Sequence, residues 1–173
     1  MLRVLNALPA NASLLDIGAG HGLFAVLASG TRRVVAVEPD ARKVRRISSI
    51  DFVIGFDDVI TGTFDAISII DVLYKIPLDR WDALLSRCLS RLRAGGILII
   101  KEQDPTARFK NGWNAIQERF ASAMRLTLGE SFSYEAPSDF IARLHRLGFT
   151  DAQSKRIDFA YPHPHVMYTA IRR

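Results

Sequence analysis

Three glycines spaced two apart close a short apolar run in Leu14-Leu15-Asp16-Ile17-Gly18-Ala19-Gly20-His21-Gly22-Leu23 and precede a helical pattern. Glycine accepts positive φ and leaves no Cβ in the way, so a ligand can lie directly on such a backbone. A helix start adds free N–H groups. Twenty positions after Gly18 comes Glu38, in Val35-Ala36-Val37-Glu38-Pro39-Asp40. A carboxylate there can accept two hydrogen bonds from the ribose hydroxyls of an adenosine ligand. A dinucleotide turn would read G-x-G-x-x-G, and its last glycine would fall at position 23, which is Leu, so NAD and FAD are disfavoured.

Other chemistry-bearing residues are few. His163 and His165, in Tyr161-Pro162-His163-Pro164-His165, precede the last strand candidate and could reach the same sheet edge; a proline-stiffened hairpin turn is the alternative. His21 faces out of the Gly-rich turn and acts through its backbone, and His145 reads as a helix-surface residue. Cys88 lies in an apolar helical pattern and reads as a buried thiol in a reducing compartment. No H-x-x-x-H or C-x-x-C pair exists, so no metal is expected.

These residues need a scaffold, and the scaffold shows as alternation. Apolar β-rich runs at 13–17, 33–37, 51–54, 65–70 and 96–101 are separated by segments of helical spacing at 21–29, 40–48 and 79–92. Uniformly apolar strands such as Ala66-Ile67-Ser68-Ile69-Ile70 suit a parallel sheet buried on both faces. Asp40 is placed as the N-cap of the second helix, and Gly95-Gly96 as the end of the third. Beyond Lys101 the rhythm breaks: an irregular stretch, an amphipathic helix at 113–128, a loop, a helix at 138–147 capped by Ser138, and strands at 152–159 and 165–171. The expected fold is α/β, a Rossmann-like doubly wound sheet, mostly parallel with an antiparallel last strand and helices on both faces. It forms a single domain over 1–173 with a substrate-covering insertion at about 102–137.

The turn at Leu14 to Gly22, with Val37-Glu38-Pro39, resembles the first two motifs of class I S-adenosylmethionine-dependent methyltransferases of the small-molecule type. Phe64-Asp65-Ala66-Ile67 and Asp71-Val72-Leu73-Tyr74-Lys75-Ile76-Pro77 are similar to that family's fourth-strand motif, and Arg91-Leu92-Arg93-Ala94-Gly95-Gly96-Ile97-Leu98 to the segment entering its fifth strand. The resemblance implies S-adenosyl-L-methionine as cofactor. Gly18, Ala19, Gly20 and Gly22 would lie against its methionine moiety, with Asp16 hydrogen-bonding at the turn and Glu38 and Pro39 at the ribose. The family's usual Gly-Asp pair after the third strand is here Gly55-Phe56-Asp57-Asp58, so Asp57 is assigned to the adenine amino group and Phe56 to the ring. Asp71 and Val72 would lie beside the sulfonium.

Tyr74 and Lys75 stand where many relatives have histidines. Tyr74 could orient a substrate hydroxyl or serve in packing, and with His165 it completes the candidate catalytic pair. Substrate choice falls to the region from Glu102 to Ala136, with Phe109, Trp113, Phe120, Met124, Phe132 and Tyr134 as candidate pocket walls. The segment 1–12 is shorter than the helical cover relatives carry before the first strand. It points to an open site, a site covered by a partner or membrane, or a shortened gene product.

The chain has 173 residues, 49% hydrophobic and 24% charged, with a net charge of +5, which excludes collagen, coiled coil and disorder. No apolar run approaches the ~20 residues of a transmembrane helix and no signal peptide is visible, so a cytoplasmic location and at most peripheral membrane contact are expected. The basic run Arg42-Lys43-Val44-Arg45-Arg46 reads as a solvated helix face. The acceptor is expected to be a small molecule, lipid-like or carrier-bound. Nucleic acid is disfavoured because no Asn-Pro-Pro-aromatic tetrad follows the fourth strand. The competing readings are a nucleotide-binding oxidoreductase, against which Leu23 stands, and a non-catalytic module that binds a partner protein.

Overall fold

The computed structural model describes residues 5, 8, 10–103, 133–157 and 165–173. Seven strands form one sheet: β1 (Ser13–Ile17), β2 (Arg33–Glu38), β3 (Ile50–Ile54), β4 (Phe64–Ile70), β5 (Leu92–Gln103), β6 (Phe149–Arg156) and β7 (His165–Arg172). Their spatial order is β3-β2-β1-β4-β5-β7-β6. All pairings among β1 to β5 are parallel, and β7 runs antiparallel to both β5 and β6. The strand order reverses between β1 and β4, and in open α/β sheets ligands bind outside the carboxyl ends of the strands at such a switch.

Side-chain alternation along the central strands feeds two cores. Leu14, Val34, Ala36, Ala66 and Ile99 pack with Phe24, Ala25 and Ala28 of helix α1 (Leu23–Ala28). Leu15, Ile67, Ile69, Leu98 and Ile100 pack with helices α2 (Trp81–Arg91) and α3 (Pro137–Arg146). Both faces of the sheet are therefore covered, which is why these strands read as nearly continuous apolar runs. Burying each Leu, Val, Ile or Phe side chain among them contributes about 1.5–3 kcal/mol. In the second core the Trp81 ring meets Phe140 edge-on at 5.7 Å, and Phe140 packs on Tyr168 at 4.6 Å between centroids.

The helix expected over 40–48 is absent: the segment between β2 and β3 is turn and coil. Asp40 does act locally, but its carboxylate accepts from the Arg42 backbone N–H at 3.1 Å and from the Arg42 guanidinium at 2.8 and 2.9 Å. That side-chain pairing competes with helix propagation, and four cations within five positions repel one another across a helical turn. Gly95 and Gly96 do not end α2, which stops at Arg91; they lie in a bulged stretch of β5, where the register against β4 shifts between Phe64 and Ala66. Gly96 allows close approach there, since a Cβ would stand 2.8 Å from the Arg93 carbonyl oxygen. Ala136 rather than Ser138 is the N-cap of α3, with Pro137 in the first turn, where its missing N–H costs nothing. β6 begins three residues earlier than expected, at Phe149. The expected helix at 113–128 and the residues Phe109, Trp113, Phe120, Met124, Phe132 and His163 lie outside the described residues.

Candidate active site

The Gly-rich turn leaves β1 at the switch point. Gly18, Gly20 and Gly22 all have positive φ, at 70°, 56° and 78°, a conformation that would strain other residues. The three differ in what surrounds them. A Cβ on Gly18 would come within 2.6 Å of Val72, and one on Gly22 within 2.5 Å of the Phe52 ring, whereas a Cβ on Gly20 would meet nothing within 4 Å. The turn is thus held tightly at both ends and open in its middle.

Backbone bonds tie this turn to β2: the Gly18 and Ala19 N–H groups donate to the Val37 carbonyl at 2.8 and 3.1 Å. Glu38, 5% exposed, accepts from the Gly20 N–H at 2.9 Å with one oxygen and from the Asp40 N–H at 3.0 Å with the other. Each carboxylate oxygen keeps a further lone pair. Pro39 is exposed beside it.

Asp16 is 1% exposed. The Ser68 hydroxyl donates to its Oδ1 at 2.7 Å, while its Oδ2 has no hydrogen bond. Burial pushes its carboxyl up to about 7, and the Ser68 bond opposes that rise.

Across the switch, β4 is followed by Asp71, a non-glycine residue with φ of 57°. Such backbone costs about 1–2 kcal/mol and is kept only where its surroundings fix it. Here the Asp71 N–H donates to the Lys101 carbonyl at 2.8 Å, and the buried Lys101 ammonium donates to both Asp71 oxygens at 2.9 and 2.6 Å. His165 Nε2 lies 4.0 Å from Asp71 Oδ1. Beside them Glu102, 7% exposed, accepts the Val72 and Leu73 N–H groups at 2.9 and 2.7 Å through Oε1; its Oε2 is buried without a hydrogen bond. Burial pushes this carboxyl up to about 7, against the pull of those two N–H groups.

Sequence reasoning missed Ser68, Lys101 and Glu102. The signal for the last two is a pair of charges ending the apolar run Ile97-Leu98-Ile99-Ile100, at the edge where ligands bind. Gly18 and Val72, Gly20 and Glu38, and Asp71 and His165 are brought together. Tyr74 stacks in parallel with Tyr134 at 6.4 Å, with the Lys75 ammonium 5.0 Å from its ring centre.

Asp57 is placed elsewhere. Its carboxylate is buried against α2, where Arg87 donates to both oxygens at 2.5 and 3.0 Å and Arg91 approaches at 3.5 Å. Asp57 thus fastens the loop after β3 to α2. Phe56, 69% exposed, remains available at that loop. Cys88 is buried and its thiol pushed up to about 12 by desolvation, which makes it inert packing. Among the described residues no group of three His, Cys, Asp or Glu side chains is arranged to hold a metal. Among them, too, no helix is long and apolar enough to cross a membrane.

Comparison with known proteins gives the family. A family model described as a methyltransferase domain matches residues 1–154. The chain belongs to the methyltransferase domain family. A search of curated proteins returns no match. Among solved structures, this methyltransferase domain is similar to a SAM-dependent methyltransferase from Archaeoglobus fulgidus, with a TM-score of 0.78 at 15% identity over 99% of this chain and 90% of that one. It is also similar to phosphoethanolamine N-methyltransferase 2 of Haemonchus contortus in complex with S-adenosyl-L-methionine, with a TM-score of 0.76 at 14% identity over 99% and 51%. A third likeness is to the 1,6-didemethyltoxoflavin-N1-methyltransferase of Burkholderia thailandensis, with a TM-score of 0.71 at 20% identity over 98% and 75%. The chain spans about half the length of the Haemonchus enzyme. At these identities the likenesses show a shared fold.

Proposed function

We propose that this methyltransferase domain binds S-adenosyl-L-methionine across the β1/β4 switch and transfers its methyl group to a small molecule. The observation that carries the reading is the coupling of the open glycine turn to Glu38: one carboxylate fixes the Gly20 N–H and keeps lone pairs for a ribose. The donor set fits the cofactor. The space over Gly20 accepts a group lying on the backbone, and the orphan Asp16 Oδ2, two residues before Gly18, is an acceptor for a cationic amino group. The exposed Phe56 ring offers a stacking surface for adenine. The solved complexes of the Haemonchus enzyme with S-adenosyl-L-methionine and S-adenosylhomocysteine lend support by likeness of fold.

The bound cofactor supplies an electrophilic methyl carbon on sulfur; the chain's task is alignment and exclusion of water. Val72 packs against Gly18 and sets the spacing between the two loops that would flank the methyl group. Asp71 is clamped at that edge by Lys101. His165, with Nε2 4.0 Å from Asp71 Oδ1, would hold Asp71 in place on the acceptor side of that edge. Tyr74 walls the acceptor side. The Haemonchus and Burkholderia enzymes are named for phosphoethanolamine and 1,6-didemethyltoxoflavin, which favours small-molecule acceptors over lipid or carrier-bound ones.

The test is release of S-adenosylhomocysteine from S-adenosylmethionine in the presence of pooled small amines, alcohols and acids. Acceptor-dependent release that falls at least tenfold in His165→Gln, with cofactor affinity unchanged, is expected. Binding without release on any pool would overturn the catalytic reading in favour of a non-catalytic module.

A further inference from the structure

Resting on the methyltransferase reading, we infer that the recess beside the β4 loop receives the nitrogen of the acceptor, and that Glu102 makes it selective for an amine. The recess is small, with room of about 20 Å³ for a single water-sized group such as an ammonium head, and is walled by Tyr74, Trp81, Tyr134, Phe140 and Tyr168, with Glu102 and Glu135 among its polar lining. Its lining is mostly apolar with a few placed polar groups, the make-up of small-ligand sites. It adjoins the cofactor turn, because Glu102 holds the N–H of Val72, the residue in contact range of Gly18.

The acids at this edge divide by partner. Asp71 is matched by the Lys101 ammonium, and Glu135 by Arg143, which donates to both its oxygens at 2.9 and 3.0 Å. Glu102 has its Oε1 filled by two N–H groups, while its Oε2 is buried with no hydrogen bond and no cation within salt-bridge distance among the described residues. A buried carboxylate oxygen left in this state is costly, and a donor that fills it regains that cost. An ammonium is the best match, because it brings both the proton and the compensating charge. The aromatic walls favour the same ligand, since ring faces attract cations; the Tyr74 ring already draws the Lys75 ammonium to 5.0 Å. A carboxylate or phosphate placed against Glu102 would be repelled.

For transfer, the ammonium gives one proton to the Glu102 carboxylate. The freed nitrogen lone pair then forms the N–C bond as the C–S bond breaks, its electron pair passing to sulfur.

The probes are 2-phenylethylamine, 2-phenylethanol and phenylacetate, titrated by calorimetry into the full chain saturated with S-adenosylhomocysteine. Wild type should bind the amine at least tenfold more tightly than the alcohol, and phenylacetate more weakly still. Glu102→Gln keeps an oxygen for the Val72 and Leu73 N–H groups, and should bring amine and alcohol within about twofold while S-adenosylhomocysteine binds as before. Equal affinity of wild type for amine and alcohol, or an amine preference that survives in Glu102→Gln, overturns the inference. The wild-type comparison decides the matter even if the variant does not fold. Failure of S-adenosylhomocysteine to bind wild type would instead overturn the methyltransferase reading, with the amine preference then measured on the chain without it.

Discussion

Asp16→Asn separates the structural cost of the site from its use. The wild-type carboxyl titrates at 3.8 when exposed and near 7 in the folded protein, where burial is the main cause. Between those values the folded state binds more protons than the unfolded state. This contribution to stability is therefore complete below the lower value and lost as the pH rises through the upper one. A separation of about three pH units corresponds to about 4 kcal/mol. The Asn variant has no such titration, but places an amide where Oδ2 has no hydrogen-bond partner, at a cost of about 1–3 kcal/mol at every pH. At about pH 3.5 and below the variant should be weaker by about 1–3 kcal/mol, and at about pH 8 stronger by a similar amount. For a chain of this size each kcal/mol moves Tm by roughly 2–4 °C, so the two curves of Tm against pH should cross between these values. Glu102 titrates in both proteins and cancels in the difference. If the acceptor role of Oδ2 is right, the variant gains stability at pH 8 and at the same time loses about tenfold or more in affinity for S-adenosylhomocysteine. Parallel Tm curves would refute the assignment of a buried, unsatisfied carboxylate.

Two further substitutions discriminate among the other residues. Gly18→Ala sets a methyl group 2.6 Å from Val72 at a φ of 70°, so we expect a loss of about 1–3 kcal/mol in denaturant titrations and at least tenfold weaker S-adenosylhomocysteine binding. Asp57→Ala strips the carboxylate from Arg87 and Arg91 and should cost about 1–3 kcal/mol of stability while leaving S-adenosylhomocysteine affinity within about threefold; a selective loss of binding would support an adenine role for Asp57.

How much was legible depended on how local each cause is. The glycine turn and Glu38 stood out because their roles need backbone conformations special to glycine and a carboxylate at a fixed offset along the chain. Strands β1, β2 and β4 were legible because burial on both faces leaves uninterrupted apolar runs. The segment after Asp40 misled because Val44 and Ile47 are spaced as a helix face, while the competing bonds from Asp40 and the repulsion among Arg42, Lys43, Arg45 and Arg46 carry no periodic signature. The ion pairs of Asp57 were hidden for a different reason: its partners Arg87 and Arg91 lie 30 and 34 positions away. Glu102 was hidden in the same way, since it acts on backbone groups about 30 positions earlier. Tyr74 was singled out for its place after β4, but its ring partner Tyr134 lies on a distant loop.

The most direct single test is a calorimetric titration of S-adenosylhomocysteine into wild type and Glu38→Gln. Wild type should bind one equivalent per chain, and the variant, with one backbone N–H of the Gly20 and Asp40 pair left facing an amide, at least tenfold more weakly. No heat of binding to wild type, or equal affinity in the variant, would contradict the placement of the cofactor on this turn.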